Sequence, residues 1–481
     1  MNKAYVLLLT AIISTAIYSH GQIEAGSFQE FRKAMLNDFG SYRKSVLDNY
    51  ASFLEGIWRD YECFRGEQRD TFPKPTCPLV TATPDKRPPV TVPSKTIAPS
   101  EVVREPQNIP PRALEKYFEF SFYGIQTRVP NVEIPVLPGI HDTKDFAECW
   151  RKLASKDATM CAVKELRATA DTLGLNDYLT FEFVQSWAEA VYKDAPQTCK
   201  ASLTHYILNN MGYDIRLALT SNYDPILLIP CKQQVYGKAF LKIGSQRYYV
   251  FGTNTDLGNT VISTCDIPTR QNTGRVMDLR IKPLNLPYRP YHYNISHGSI
   301  KIEGDVNANV FPVLYHYPQM PIADYAVSEI DPALRKSIVQ QIRNQMFQQH
   351  PREKANCLLQ FVQNGFTYAT DQTAHGFEKP YFFEEMLYYA ACDCEDRALF
   401  YSYLLNKAFD LDCHIIHYPG HESVAVRLED GIEGDHYIHD GAYFYVSDPT
   451  YIGATTGMCM PDFKHITPEI DYKYTNLSNK N

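Results

Sequence analysis

Residues 392–406 read CDCEDRALFYSYLLN and place a cysteine directly before a run of residues with helical spacing. Cys394 is therefore predicted to lie at the N-terminus of a helix. Unpaired backbone N–H groups and the helix dipole at that end favour a thiolate over a thiol. The neighbouring Asp393, Glu395 and Asp396 oppose this effect, because nearby negative charge disfavours a second anion. A cationic histidine is needed to offset them if Cys394 is to act as a nucleophile.

Two strand-like segments downstream supply a histidine and a carboxylate. The segment HESVAV starts at His421, after the turn sequence YPG, and the segment VSDPTY carries Asp448 after another strand. Adjacent antiparallel strands can set two such side chains next to each other. The carboxylate would then fix the imidazole tautomer, and the imidazole would take the thiol proton. The predicted catalytic triad is Cys394, His421 and Asp448.

The order of cysteine helix, histidine strand and aspartate strand resembles the transglutaminase-like superfamily, whose fold is papain-like. In its nucleophile motif an acidic residue follows the cysteine by two positions and a small residue by four, as Asp396 and Ala398 do. Cys392 departs from the motif, which commonly has glycine there. The family's histidine strand resembles the segment from His421, and its Asp-Pro-Thr motif resembles residues 448–450. The resemblance covers residues 340–460.

A further stretch, GFEKPYFFEE at residues 376–385, resembles exported and largely uncharacterised members of the superfamily from Bacteroidetes-type bacteria. The resemblance implies a cysteine peptidase or amidase that acts on a protein or peptide through a thioester. Two alternatives stay open. One is a non-catalytic binding or scaffold protein that kept the fold, and the other is an acyl transferase for protein side chains. No cofactor and no metal are expected.

Other interpretations of these residues also stay open. Cys394 is an inert buried thiol in the simplest alternative, and Cys392 can form a disulfide that shields it. His414 and His417 are expected to be strand histidines with satisfied hydrogen bonds, and Asp440 a turn residue. A zinc site is the remaining alternative, with Cys392, Cys394, His414 and His417 as ligands. Glu384 and Glu385 are expected on a helix surface or in support of the site.

An internal echo indicates a duplication. Residues 197–209 read QTCKASLTHYILN and align with 394–406 at an offset of 197. Similar pieces recur upstream, as FVQS and FVQN, and downstream, as GSQRYYVFG and GAYFYVSDP. Three pieces in one order favour a repeat over chance. The first copy has Gln197 at the nucleophile position and Phe251 or Gly252 opposite Asp448, so it is expected to be degenerate.

The sequence predicts an α+β protein of several segments. A chain of 481 residues is too long for one ordinary domain. The predicted segments are a signal peptide at 1–21, an amphipathic helical segment at 22–65, a Pro-rich linker at 66–115, a degenerate transglutaminase-like domain at 116–260, a β-rich connector at 261–335 and a catalytic transglutaminase-like domain at 336–481.

Composition and the first residues bear on partners and location. The net charge of −8, without a Lys/Arg cluster, gives no reason to expect nucleic acid. The apolar run at residues 4–17 is too short to span a bilayer and precedes the small-residue sequence SHG, which is typical of a cleaved signal. A membrane anchor is the alternative. A periplasmic or secreted protein is expected, without a membrane span after cleavage. The apolar stripe at 28–58 is a possible partner-binding helix.

Overall fold

The described part of the chain combines α-helices with antiparallel sheets. The structure is a computed structural model, and all of the residues it describes belong to the unit Pro75–Asn481. The structure describes residues 94–97, 117–132, 137–251, 261–265, 274–429 and 431–475. The predicted signal peptide, the helical stripe at 28–58 and Gly252 lie outside these residues. No helix within the described residues is long and apolar enough to cross a membrane.

The first half begins with short strands and continues with four helices. Strand β1 falls within the predicted linker, and β2 and β3 form a hairpin. Helix α1 begins where Asp142 accepts hydrogen bonds from the backbone of Lys144 and Asp145, which satisfies N–H groups that have no partner within the helix. The elements are β1 (Ser94–Ile97), β2 (Tyr117–Phe122), β3 (Ile125–Pro130), α1 (Thr143–Ala154), α2 (Asp157–Thr172), α3 (Asp177–Val191) and α4 (Gln197–Asn210).

A six-stranded sheet follows α4. Its spatial order is β1-β8-β4-β5-β7-β6, and all neighbours are antiparallel except β1 and β8. Apolar residues fill β5, which reads PILLIP and is buried from Ile226 onward, as expected of a central strand. The strands are β4 (Arg216–Leu219), β5 (Pro225–Pro230), β6 (Phe240–Ile243), β7 (Gln246–Phe251) and β8 (Ile262–Cys265).

The segment predicted as a β-rich connector contains a hairpin and short helices. Strands β9 and β10 pair over eight residues each. Gly298 forms their turn with φ +59°, a conformation that favours glycine. The elements are β9 (Pro290–His297), β10 (Ile300–Asn307), α5 (Val310–Leu314) and α6 (Ile322–Val327).

The second half places a long helix against a five-stranded antiparallel sheet of order β15-β16-β14-β13-β17. Helix α10 starts at Cys394, as predicted, and contacts β13 and β14. The helices are α7 (Pro332–Gln345), α8 (Pro351–Gly365), α9 (Asp371–Ala374) and α10 (Cys394–Phe409), with 3-10 turns at Phe383–Leu387 and Pro461–Phe463. The strands are β11 (Thr367–Tyr368), β12 (Ala391–Cys392), β13 (Cys413–Tyr418), β14 (His421–Arg427), β15 (His436–His439), β16 (Ala442–Val446) and β17 (Glu469–Tyr474).

In each half, a helix is followed by strands in the same arrangement, and both sheets are curled half-barrels. The order β8-β4-β5-β7-β6 in the first half matches β17-β13-β14-β16-β15 in the second, and every one of these pairs is antiparallel. Helix α4 contacts β4 and β5, just as α10 contacts β13 and β14.

One hydrophobic core runs through both halves, from Phe120 to Tyr474. Tyr317 lies at the junction, where its ring meets Tyr178 of the first half and Phe382 of the second at centroid distances of 5.1 and 5.4 Å. Its hydroxyl donates to the carbonyl of Leu279 at 2.5 Å. These buried aromatic contacts join the two halves in one hydrophobic interior.

Candidate active site

Cys394 is the first residue of α10 and is fully buried. The helix start is closed by the Asp393 N–H, which donates to Asp396 Oδ2 at 3.2 Å. The Cys394 thiol donates to Glu395 Oε2 at 3.2 Å and accepts from the backbone N–H of Glu422. That N–H belongs to the residue immediately after His421, so the thiol lies against the start of β14.

His421 and Asp448 form the hydrogen-bonded pair that the sequence predicts. His421 Nε2 lies 2.7 Å from Asp448 Oδ2, and both side chains are buried. Gly420, with φ +80°, turns the chain between β13 and β14 and brings His421 to the strand's start. The other ring nitrogen, Nδ1, is buried without a hydrogen-bond partner among the described residues. Because Nε2 is taken by the carboxylate, Nδ1 is the nitrogen left to exchange a proton with a nucleophile.

Backbone N–H groups and one glutamine hold Asp448 in place. Asp448 Oδ1 accepts from the N–H groups of Thr450 and Tyr451 at 2.8 and 3.3 Å. Gln363 of α8 donates through Nε2 to the carbonyls of Asp448, Tyr451 and Ala454, and its Oε1 accepts from the Gly453 N–H. A buried side chain with four such contacts fixes the aspartate loop rigidly.

Arg397 connects helix α10 to the same loop. It is fully buried one turn after Cys394. Its guanidinium donates to the carbonyls of Gln363, Phe366 and Pro449 at 3.4, 2.8 and 3.3 Å. Because Pro449 follows Asp448 directly, these bonds set the distance between the cysteine helix and the aspartate loop.

An aromatic ring covers the histidine. Phe463 stacks on His421 at a centroid distance of 5.4 Å with an interplanar angle of 7°. The same ring stacks on Tyr418 at 4.8 Å. Tyr418 and Phe463 also line a cavity of 210 Å³, together with Cys459 and Tyr437. The cavity therefore lies beside the aromatic stack that packs on the histidine.

The surroundings of Cys394 favour the neutral thiol in this state. Burial raises the pKa of the Cys394 thiol well above its ordinary value, and the carboxylates of Glu395 and Asp393 raise it further. The hydrogen bond from the Glu422 N–H lowers the pKa of the thiol, but by less than burial and the carboxylates raise it. The sequence predicts that the helix start favours the thiolate and that the acidic neighbours favour the thiol. In this state the effect of the acidic neighbours and burial is the larger.

The other predicted histidines have local partners. His414 Nδ1 lies 2.7 Å from the Tyr437 hydroxyl, and His417 Nδ1 lies 2.8 Å from Glu422 Oε1. Burial lowers the pKa of His414 to about 4. The zinc alternative is not supported within the described residues, where no group of possible metal ligands combines these histidines with Cys392 or Cys394. Cys392 is a thiol and not a disulfide.

Of the expectations for other residues near the site, the one for Asp440 is confirmed and the one for Glu384 and Glu385 changes. Asp440 has φ +49° at the β15–β16 turn, as predicted. Glu384 and Glu385 do not lie on a helix surface: both are fully buried in a 3-10 turn. Glu384 accepts two hydrogen bonds from Arg335 at 2.7 and 2.9 Å, and Glu385 pairs with Lys379 at 2.7 Å. Buried carboxylates of this kind need such partners, which the local sequence does not reveal.

Gln363 and Arg397 are the positioning residues that sequence reasoning missed. Gln363 belongs to the FVQN piece of the internal echo, and Arg397 lies inside the predicted nucleophile motif. Those patterns indicated a repeat and a nucleophile, and neither indicated a positioning role. No family model matches this chain, and no curated protein matches it either.

Proposed function

We propose that this protein is a cysteine peptidase or amidase of the transglutaminase-like superfamily that acts on a protein or peptide. The observation that carries the proposal is the 2.7 Å bond between His421 and Asp448, which leaves Nδ1 without a partner among the described residues. Cys394 starts a helix, and its thiol accepts from the N–H of Glu422, the residue after His421. A nucleophile, a base and a group that orients the base are the three parts that covalent acyl chemistry needs.

In the proposed reaction, His421 Nδ1 takes the proton from the Cys394 thiol as sulfur bonds to the substrate carbonyl carbon. The imidazolium then gives that proton to the departing amine, and a thioester remains. Water, deprotonated by the same imidazole, adds to the thioester, and the thiol leaves with the proton. Asp448 keeps the Nε2–H tautomer and stabilises the imidazolium without taking its proton.

The proposal includes the origin of the two halves and the location of the protein. The first half is a degenerate copy of the catalytic half, supported by the shared strand order and by Gln197 at the start of α4, 197 residues before Cys394. Pro225 starts β5 where His421 starts β14, so the copy lacks the base. The proposed site of action is the periplasm or the outside of the cell, on the strength of the apolar N-terminal run.

Full burial of the three residues favours a second candidate, a binding or scaffold protein that retains the triad without turnover. Cys394 and His421 are 0% exposed and Asp448 is 1% exposed. Catalysis therefore requires an opening that admits the substrate, and the proposal makes that opening part of the reaction. Acyl transfer differs only in which nucleophile, an amine or water, reaches the thioester.

A labelling experiment distinguishes the catalytic candidate from the binding candidate. The full-length protein is incubated with a peptidyl acyloxymethyl ketone, which alkylates catalytic cysteines, and the modified residue is mapped by mass spectrometry. We expect modification at Cys394, with a rate reduced at least about tenfold in His421→Ala, because the ketone needs the thiolate that His421 generates.

Cys357→Ser is the matched control, because Cys357 is a partly exposed thiol of α8 that the proposal does not use. It should leave the labelling of Cys394 unchanged. Equal labelling of wild type and His421→Ala would remove the triad. A protein digest incubated with the enzyme and a primary amine then separates the reactions: new termini indicate a peptidase, deamidated glutamine an amidase, and incorporated amine a transferase.

A further inference from the structure

The side chain that accepts the proton of the Cys394 thiol in a hydrogen bond is Glu395. The thiol donates to Glu395 Oε2 at 3.2 Å. Glu395 is the second residue of helix α10 and is 0% exposed. A carboxylate in this position stabilises the protonated sulfur and, because it is an anion itself, disfavours the thiolate. Glu395 therefore opposes the ionisation that a nucleophilic cysteine needs.

A second carboxyl group contacts Glu395. The side chains of Asp393 and Glu395 are hydrogen-bonded to each other. Ionised carboxylates only accept, so two carboxyl groups share a hydrogen bond only when one of them carries a proton. Asp393 Oδ2 accepts from the Asp371 N–H at 3.3 Å, and no donor among the described residues reaches Asp393 Oδ1 or Glu395 Oε1. A proton between these last two oxygens satisfies both of them.

This proton belongs to Asp393. Burial raises the pKa of both carboxyl groups well above the ordinary range. Their mutual hydrogen bond raises the pKa of Asp393 further but lowers that of Glu395, which makes Asp393 the acid and Glu395 the acceptor. Glu395 thus accepts two hydrogen bonds, one from the Asp393 carboxyl group and one from the Cys394 thiol.

Among the charged side chains around the sulfur, Glu395 has the largest effect. Burial, Glu395, Asp393 and Glu422 raise the pKa of the Cys394 thiol, in that order. Asp393 repels the thiolate only after it has lost its own proton. The carboxyl groups that face Glu395 are Asp371 of α9, Glu378, and Asp393 and Asp396 of α10.

We propose that Glu395 is a positioning residue that keeps the Cys394 thiol protonated while the site is buried, and that the proton on Asp393 allows Glu395 to remain a buried carboxylate. The proposal rests on the proposed function only in treating Cys394 as the nucleophile. Attack then requires the thiol to break its bond to Glu395 and to give its proton to His421 Nδ1. Glu395 itself takes no proton in the reaction.

The test is the pH dependence of Cys394 alkylation by iodoacetamide in the full-length protein, measured by mass spectrometry. Glu395→Gln keeps the shape of the side chain, and its amide oxygen accepts from Asp393 while its NH₂ group faces the sulfur. The thiolate loses a neighbouring anion and gains a donor. We therefore expect the midpoint of the profile to move to lower pH and the rate at pH 7 to rise at least about tenfold.

Asp410→Asn is the matched control, because it removes a carboxylate from the opposite, exposed end of α10 at a φ of +57° that suits asparagine. It should leave the midpoint and the rate as in wild type. Glu395→Met removes the charge at similar volume and should act in the same direction if Glu395→Gln fails to fold. A midpoint equal to that of wild type in the folded variant, or at higher pH, would overturn the proposal, since a purely structural role does not move it.

Asp393→Asn tests the shared proton through thermal unfolding. Its NH₂ group donates to Glu395 at every pH, whereas the Asp393 carboxyl group of the wild type loses its proton as pH rises. Because the pKa of Asp393 is raised in the folded chain, the Tm of wild type should fall relative to that of Asp393→Asn between pH 4 and pH 8. Parallel Tm profiles would show that Asp393 carries no such proton.

His421→Ala separates failure of this proposal from failure of the proposed function. If Cys394 is an inert thiol, His421→Ala leaves labelling by the acyloxymethyl ketone unchanged, while Glu395→Gln still moves the iodoacetamide midpoint. If Glu395 does not restrain the thiol, the midpoint of Glu395→Gln equals that of wild type, while His421→Ala still slows labelling by the ketone.

Discussion

The Cys394 thiol is subject to two opposing electrostatic influences. The helix start and the Glu422 N–H favour the anion, whereas burial and the carboxylates of Asp393 and Glu395 favour the neutral form. A helix terminus contributes about 0.3–1 kcal/mol at an exposed site, and one charge buried without a partner costs several times more. In the proposed reaction, the thiol therefore loses its proton to His421 at the moment of attack rather than before it.

Asp448→Asn tests how the histidine is oriented. The backbone N–H groups of Thr450 and Tyr451 hold the Oδ1 position, so the new amide should turn its NH₂ toward His421 Nε2. The imidazole must then carry its proton on Nδ1, where it cannot accept the thiol proton. In the serine-protease triad the corresponding change lowers turnover by about 10⁴-fold. We expect a loss of at least about 10²-fold in the rate of Cys394 labelling or of turnover.

Asp462→Asn, an exposed aspartate next to Phe463, serves as the control and should behave as wild type. Retention of most activity by Asp448→Asn, with an unchanged Tm, would show that another group orients His421.

At the scale of helices and strands, local patterns in the sequence were informative wherever one face of an element is buried. The period-two pattern of β14 and the helical run after Cys394 predicted both elements correctly. Strand β6 was missed, because the short sequence FLKI carries too little alternation. The contact in which the Asp371 N–H donates to Asp393 Oδ2 at 3.3 Å was missed for another reason. The two residues belong to different elements, and only tertiary folding brings α9 to the start of α10.

Gln363→Leu tests whether α8 holds the aspartate loop. Leucine fills a similar volume but leaves three carbonyls and the Gly453 N–H without their partner. Each buried group that loses its hydrogen bond costs about 1–3 kcal/mol, so we expect the free energy of unfolding to fall by at least about 3 kcal/mol. Urea denaturation measures this directly.

Gln360→Leu is the control on the exposed face of the same helix and should change stability by less than about 0.5 kcal/mol. If Gln363→Leu proves equally mild, water must replace the glutamine contacts, and the loop is not held from α8.

At the scale of the whole molecule, two sheets share one core and the same order over five strands, and the proposed triad lies beside the second sheet. The shared strand order could be anticipated from the sequence, because three similar pieces recur in the same order in the two halves. The packing between the halves could not be predicted, since the contacts of Tyr317 with Tyr178 and Phe382 involve side chains far apart in sequence. Under the proposed duplication, the first half is available as a scaffold or a substrate-binding surface.

The buried carboxylates should govern how stability depends on pH. Burial raises the pKa of Asp371 from its ordinary 3.8 to about 7, so between these values the folded chain binds more protons than the unfolded chain. Stability contributed by this group is then complete below pH 4 and is lost as pH rises toward 7. The groups facing Asp371 that share in this titration or modify it are Glu378, Lys379, Glu385, Asp393, Glu395 and Asp396.

We therefore expect the wild-type protein to lose about 2.5 kcal/mol of unfolding free energy between pH 5 and pH 7.5 in excess of Asp371→Asn, which cannot titrate at this position. Urea denaturation of both proteins at the two pH values measures the difference. Parallel pH dependence of wild type and Asp371→Asn would show that Asp371 does not titrate in this range and that its burial is balanced in some other way.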